Sequence, residues 1–296
     1  MSSTAVISSP LSLAGVKDYL ELSKSRIVLM VVMTAAAGYV IGAQTFSIVA
    51  LFNVLFGTAL VAAGTNALNQ WWERDLDARM LRTARRPVPA GRITPRAALA
   101  FSTGIAIIGT IYLALTVNAL TAFLGAFTLT SYVFIYTPLK RISTACTIVG
   151  ALPGAIPPLM GWAAATGSLG AAGWIAFGIL FFWQLPHFMA ISWTHREDYG
   201  RAGFAMLSVQ DPHGAAVGRQ AVLYSLALLA VSVAPSFMGM AGVVYLIGSA
   251  AAGAAILVAS IKFMRERSAT RARSLFMTSN IYLLVMMVLL VACVRG

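Results

Sequence analysis

The chain has 296 residues, 59% hydrophobic and 10% charged, and its 21 Lys and Arg against 9 Asp and Glu give a formal net charge of +12. Soluble domains carry roughly 25% charged residues, so 10% charged residues and a mean hydropathy of +0.83 exclude a soluble globular fold, and the positive charge of a membrane protein needs no nucleic acid to explain it. Apolar stretches of about twenty residues suit helices crossing a ~30 Å hydrocarbon core, not the short alternating segments of a closed barrel.

Read from the N-terminus, residues 1–25 form a cytoplasmic segment with no Lys or Arg before Lys17. Neither a secretory n-region nor an Arg-rich transit peptide is therefore expected. Spans are predicted at 27–43 and 49–71, followed by a charged stretch over 69–96. Next come spans at 97–115, 119–138 and 143–164. The last of these holds Pro153, Pro157 and Pro158 with Gly150, Gly154 and Gly161, a composition expected to break or kink it at a cavity. A span at 172–193 runs into a second charged stretch over 183–219, and spans at 220–238, 242–261 and 275–294 complete the chain. Cys146 and Cys293 both fall in apolar segments without metal-ligand spacing and read as small buried hydrophobes. One polytopic domain over 1–296 is expected, a bundle of about nine transmembrane helices.

Charge alternates sharply between the connections. Residues 44–48, 116–118, 165–171 and 239–241 hold none, whereas every Lys and Arg except Arg295 falls on the opposite side. The positive-inside rule makes that side cytoplasmic, with the N-terminus inside and the C-terminus periplasmic. Contact with lipid headgroups accounts for most of these cations, and the expected location is a bacterial inner (plasma) membrane.

Six acids fall in two clusters on the basic side, Glu73, Asp75 and Asp77, then Glu197, Asp198 and Asp211. Asn69, Glu73 and Asp77 are spaced i, i+4, i+8, one face of a helix continuing the second span. One amide oxygen and two carboxylates suit a hard cation such as Mg²⁺, which keeps waters and accepts phosphate oxygens. Arg74, Arg79, Arg82, Arg85 and Arg86 surround them, a cation set suited to a diphosphate. The second cluster places His187 and His195 near the membrane boundary beside Glu197, Asp198 and Tyr199. Two acidic clusters at one membrane face fit a diphosphate held through metal between them.

These residues resemble the membrane-embedded prenyltransferases of the UbiA superfamily, and within it the heme-prenylating branch. The superfamily pattern Asn-Asp-x-x-Asp-x-x-x-Asp reads here Asn69-Gln70-x-x-Glu73-x-x-x-Asp77, with Gln70 and Glu73 in place of the first two Asp. "LSKSRIVLMVVMTAAAGY" (22–39) resembles the opening, with Ser25 where Pro is usual. "YTPLKRISTACTIVGALPGAIPPLMGWAA" (136–164), "WQLPHF", "EDYGRAGFAMLSV" and "ARSLFMTSNIYL" (272–283) resemble the later segments. The usual second Asp-x-x-x-Asp is absent; His187, His195, Glu197 and Asp198 occupy its region.

The resemblance implies farnesyl diphosphate and protoheme IX as substrates, Mg²⁺ as cofactor, and active-site loops at 69–96 and 183–219 on the cytoplasmic side. Asn69, Glu73, Asp77 and Asp198 are the expected metal ligands. Lys24, Arg26, Arg74, Arg82, Lys140 and Arg141 are expected on the diphosphate. Tyr132, Tyr136, His187, His195 and Tyr199 are expected at the acceptor and its cation, with His187 orienting water or contacting heme. Heme A synthase is implied as a downstream partner and the lipid bilayer as the surroundings. A quinone-ring or chlorin prenyltransferase shares the metal site and is the rival expectation. A secondary transporter is disfavoured because the acids lie at one membrane face instead of the midplane.

Overall fold

The structure is a computed structural model that describes residues 13–294; residues 1–12 and 295–296, and with them Arg295, lie outside the described residues. It contains α1 (Leu13–Leu22), α2 (Ser25–Gly42), α3 (Ile48–Trp72), the short α4 (Arg74–Asp77), α5 (Pro95–Thr116) and α6 (Ala119–Thr130). A π-helical segment, Ser131–Tyr136, leads to α7 (Thr137–Leu139), α8 (Cys146–Thr166), α9 (Ala171–Thr194), α10 (Arg196–Ala202), α11 (Leu207–Gln210), α12 (Ala215–Phe237), α13 (Val243–Arg265) and α14 (Ala269–Cys293). Among the described residues nine helices are long and apolar enough to span a bilayer: α2, α3, α5, the continuous run Ala119–Leu139, α8, α9, α12, α13 and α14.

The helix ends follow capping chemistry where hydropathy cannot reach. α14 starts at Ala269, six residues before the predicted 275, because Ser268 accepts a hydrogen bond from the Arg271 N–H and caps it while it still lies among charged residues. α5 begins likewise at Pro95 behind the cap of Thr94, which accepts from the Ala97 N–H.

Helix neighbours divide the bundle into two halves. α3 packs on α5, α5 on α6, and α8 on both α2 and α6; α9 packs on α12 and α14, with α13 between α12 and α14. The α8–α9 contact joins the halves, and α14 also touches α2. Within α8, 67% of its membrane-spanning window is buried, against 28–50% in the other eight spans, so α8 is the central helix. Leu115, Val244 and Ile48 point outward at 81%, 69% and 68% exposure, as residues facing lipid tails do.

α8 is not broken where its prolines suggested. It runs uninterrupted through Pro153, Pro157 and Pro158, and its small residues serve close packing. A Cβ on Gly161 would lie 1.9 Å from the Ala35 carbonyl oxygen, and one on Gly38 1.9 Å from the Pro158 carbonyl oxygen. The α2 and α8 backbones therefore touch directly, as small residues allow in membranes. Only the N-terminal part faces the cavity wall, with Gly150 against the Tyr136 ring. A Gly161→Val substitution is expected to cost about 3 kcal/mol or more, because neither backbone can retreat. Thermal unfolding of the detergent-solubilised variant, followed by loss of the monodisperse species, measures it.

Candidate active site

The charged end of the bundle holds a cavity of about 230 Å³. α3 supplies its polar wall. Asn69 sits in the last turn of α3; the Glu73 N–H donates to the Asn69 carbonyl at 3.0 Å, and the Asp77 N–H to the Glu73 carbonyl at 2.8 Å. Helical bonding thus continues across the junction with α4, which keeps Asn69, Glu73 and Asp77 on one face, all lining the cavity and all buried.

Each of the three meets a cation from elsewhere in the chain. Lys24 Nζ donates to Asn69 Oδ1 at 3.1 Å. Lys140 Nζ reaches both Glu73 oxygens, at 2.8 and 3.0 Å. Arg86 Nη1 bonds Asp77 Oδ2 at 2.6 Å. The second Asp77 oxygen, Oδ1, is buried and has no hydrogen-bond partner. Asn69 Nδ2 donates to the Thr137 hydroxyl at 3.2 Å, and that hydroxyl donates to the Tyr132 carbonyl at 2.9 Å.

Burial shapes the charge state here. Burial first, then the charges of Arg86 and Lys140, pulls the Lys24 amine down to about 7. The Asp77 carboxyl is pushed up by burial, which Arg86 only partly offsets. For Lys140 burial works downward, but the facing Glu73 carboxylate outweighs it and the net shift is upward.

Aromatic and sulfur-bearing side chains close the other walls. The π-helical segment turns both Tyr132 and Tyr136 into the cavity, ring centroids 4.9 Å apart. Its wide turn is bonded by the Thr137 N–H to the Tyr132 carbonyl, just before Pro138, which has no N–H to continue an α pattern. Such turns recur at functional sites. Lys140 Nζ stands 4.5 Å from the Tyr136 ring centroid and 5.8 Å from that of Phe204. The Ala205 N–H donates to the Lys140 carbonyl at 2.7 Å, so the segment after α10 is docked over the cavity. Met206 and Cys146 bring their sulfurs to 3.7 Å.

Of the residues expected at the site, Lys24, Asn69, Glu73, Asp77, Arg82, Tyr132, Tyr136, Lys140 and Tyr199 line this cavity. Others do not. Asp198 is turned away: Oδ1 accepts the Leu81 N–H at 3.2 Å and pairs with Arg201. It ties α10 to the loop after α4, and unlike Asn69, Glu73 and Asp77, with which it was expected to share a metal, it does not line the cavity. His187 is sandwiched between Trp183 and Phe276, centroids 4.8 and 4.9 Å away, with Nδ1 2.8 Å from Ser279 Oγ. It lies behind the wall, in helix-packing contacts. His195 is half-buried outside the cavity, its imidazole pulled down by burial and by Arg82. Arg74 bonds the Trp71 carbonyl at 2.9 Å and pairs with Asp75, and Arg26 and Arg141 are exposed.

Sequence reading passed over Arg86 as a specific partner of Asp77, and missed Met80, Cys146, Thr147, Phe188, Ile191, Ser192, Phe204 and Met206, which also line the cavity. For Phe188, Ile191 and Ser192 a signal existed: i, i+3, i+4 spacing on α9 marks one helix face. For Arg86 none did, since the chain between 78 and 94 doubles back in irregular turns.

Among the described residues no three His, Cys, Asp or Glu side chains converge. A cation here would rest on the Asn69 amide oxygen and two carboxylates, with an orphaned Asp77 oxygen available. That oxygen-only, sparse donor set fits a magnesium ion completed by phosphate and water.

The profile of the UbiA prenyltransferase family matches residues 31–285. A protoheme IX farnesyltransferase of Solibacter usitatus is 45% identical over 277 residues, covering 90% of this chain and 95% of that protein. Solved structures also share the fold. A digeranylgeranylglyceryl phosphate synthase gives a TM-score of 0.78 at 18% identity, over 93% of this chain and 97% of that one. A UbiA homolog from Archaeoglobus fulgidus, bound to GPP and Mg²⁺, gives 0.67 at 14% identity, over 92% and 99%.

Proposed function

The chain belongs to the UbiA prenyltransferase family, and from that footing we propose that it transfers the farnesyl group of farnesyl diphosphate to a vinyl group of protoheme IX. Water adds in the same reaction, and the products are heme O and diphosphate. The name carried by the Solibacter usitatus relative supports the substrates. The observation that carries the chemistry is the trio Asn69, Glu73 and Asp77, each already bonded to a basic side chain in a buried polar cavity.

Asn69, Glu73 and Asp77 would hold magnesium, which when bound neutralises the diphosphate and makes it a better leaving group. Lys24, Lys140 and Arg86 line the cavity with Arg82 and would meet phosphate oxygens there. Concentrated positive charge in a buried site stabilises the departing diphosphate. As the C1–O bond breaks, positive charge develops on the allylic carbon. The Tyr136 face, which accepts the Lys140 ammonium at 4.5 Å, offers a surface for that charge, and Tyr132 flanks it. The vinyl carbon of heme bonds C1, and water captures the resulting cation and releases a proton. A cavity of about 230 Å³ is smaller than the roughly 300–1,000 Å³ of ligand sites.

The basic side of the bundle is the cytoplasmic side, with the N-terminus inside, the C-terminus periplasmic and the cavity opening inward from the plasma membrane. Charge bias supports this. Cysteines placed near Arg85, Arg201 and Arg267, in a background lacking Cys146 and Cys293, are expected to react with an impermeant maleimide only from the cytoplasm. Periplasmic labelling at any one overturns the orientation. Heme A synthase is the expected consumer of the product.

Membranes containing the protein, given heme, farnesyl diphosphate and Mg²⁺, are expected to yield a porphyrin heavier by one farnesyl group and one hydroxyl group. No such mass with heme, alongside a prenylated quinone or chlorin, transfers the assignment to that acceptor class.

A further inference from the structure

Gln70 stands where the family pattern has an acid beside Asn69, yet its side chain turns away from the cavity. Its Nε2 donates to the Leu22 carbonyl at 2.7 Å and to the Glu21 carbonyl at 3.1 Å. In a continuous helix those two carbonyls would accept the N–H groups of Ser25 and Arg26. Here α1 ends, and the next helix starts afresh at Ser25 behind Lys24.

Lys24 is the one non-glycine residue at positive φ among the described residues, with φ 52 and ψ 57. Helices reverse through that conformation with glycine at almost no cost, and a lysine held there signals a functional constraint. The left-handed corner brings Lys24 Nζ to Asn69 Oδ1 at 3.1 Å. Leu22 anchors the corner in an apolar cluster with Ala67, Val88, Ile93 and Ala98. Outside, Arg92 bridges Asp18 and Glu21 of α1 and donates to the Arg85 carbonyl at 2.9 Å.

We propose that Gln70 is a positioning residue: its amide supplies the donor that the Leu22 carbonyl lacks at the α1–α2 corner, adds a second bond to the Glu21 carbonyl that the Lys24 N–H already meets, and so aims Lys24 into the diphosphate end of the cavity. The inference rests on the reading of that cavity as a farnesyl diphosphate site. An acid at position 70 has no N–H to offer. It would leave the buried Leu22 carbonyl unpaired, which buried backbone does not tolerate, and the Glu21 carbonyl with the Lys24 N–H alone. The corner would then relax and withdraw the lysine.

Full-length protein in nanodiscs separates this role from direct metal ligation. Calorimetric titration with farnesyl diphosphate and Mg²⁺ is expected to show about tenfold weaker binding for Gln70→Glu. Turnover at saturating substrate should fall to about the level of Lys24→Ala, because Lys24 is among the cations that stabilise the departing diphosphate. Lys24→Ala should weaken binding similarly, and the double variant should be no worse than Lys24→Ala, because both changes remove one interaction. Should Gln70→Glu fold poorly, Gln70→Asn, too short to reach Leu22, carries the same comparison. Wild-type affinity or better in Gln70→Glu, as an added metal ligand would produce, overturns the proposal. So do losses that multiply in the double variant. Absence of farnesyl diphosphate binding by the wild type instead overturns the functional reading beneath it.

Discussion

Turnover of Asp77→Asn is expected to fall by about 10²–10³-fold or more, the range lost when one preorganised charge-stabilising group is removed from a buried site. The substitution keeps the shape of a side chain that is 0% exposed and deletes its charge. Two consequences meet. Arg86, now bonded at 2.6 Å, loses its counter-charge and is left facing Lys24 and Lys140. A magnesium ion held as proposed would lose the oxygen that has no other partner, Oδ1. The fold should survive, because the backbone contacts at this position are carried by main-chain atoms: the Thr83 hydroxyl donates to the Asp77 carbonyl at 2.9 Å. Single-turnover rates and magnesium dependence check the result. A variant with normal rate and unchanged magnesium response removes Asp77 from the chemistry.

Lys140→Met is expected to cost both stability and activity. Lys140 neutralises Glu73, whose side chain is 5% exposed, through two bonds, and lies against Tyr136 and Phe204. Removing one partner of a buried pair strands the other charge, typically at about 3–5 kcal/mol, less here to the extent that cavity water reaches the carboxylate. Adding Glu73→Gln should restore most of the stability, since no charge is then stranded, yet activity should stay low because metal and diphosphate have each lost a partner. Thermal melts with farnesyl transfer rates on both variants test this. Restored activity in the double variant would remove the pair from the mechanism. Lys140→Arg should keep part of the activity, as it retains the charge but misfits a compact ammonium site.

Much of the site was legible because its core is local. Asn69, Glu73 and Asp77 share a face by helix spacing alone, and the junction at Glu73 did not disturb it. The π-helical turn that swings Tyr132 and Tyr136 together was illegible, since an α pattern and a π pattern differ by one residue that hydropathy does not register. The second cluster misled for another reason. Proximity in sequence to a membrane boundary places Asp198 and His187 at the right depth, but rotation about the helix axis decides what each faces. Asp198 turned to the Leu81 N–H, and His187 to Ser279 and two aromatic rings.

The sequence by itself determined the class, the nine spans, the side bearing the charge and the oxygen trio. Hydrophobic length, loop charge and helix spacing are properties of neighbouring residues, read against a bilayer of nearly constant thickness. Only the tertiary structure decided which cations meet the trio. Lys24 with Asn69, Lys140 with Glu73 and Asp198 with Leu81 join positions 45, 67 and 117 residues apart. It also decided that Gln70 serves the α1–α2 corner and not the cavity. Those pairings depend on how helices rotate and slide against one another, and close backbone contacts such as that of Gly161 with Ala35 set that register through packing between distant segments.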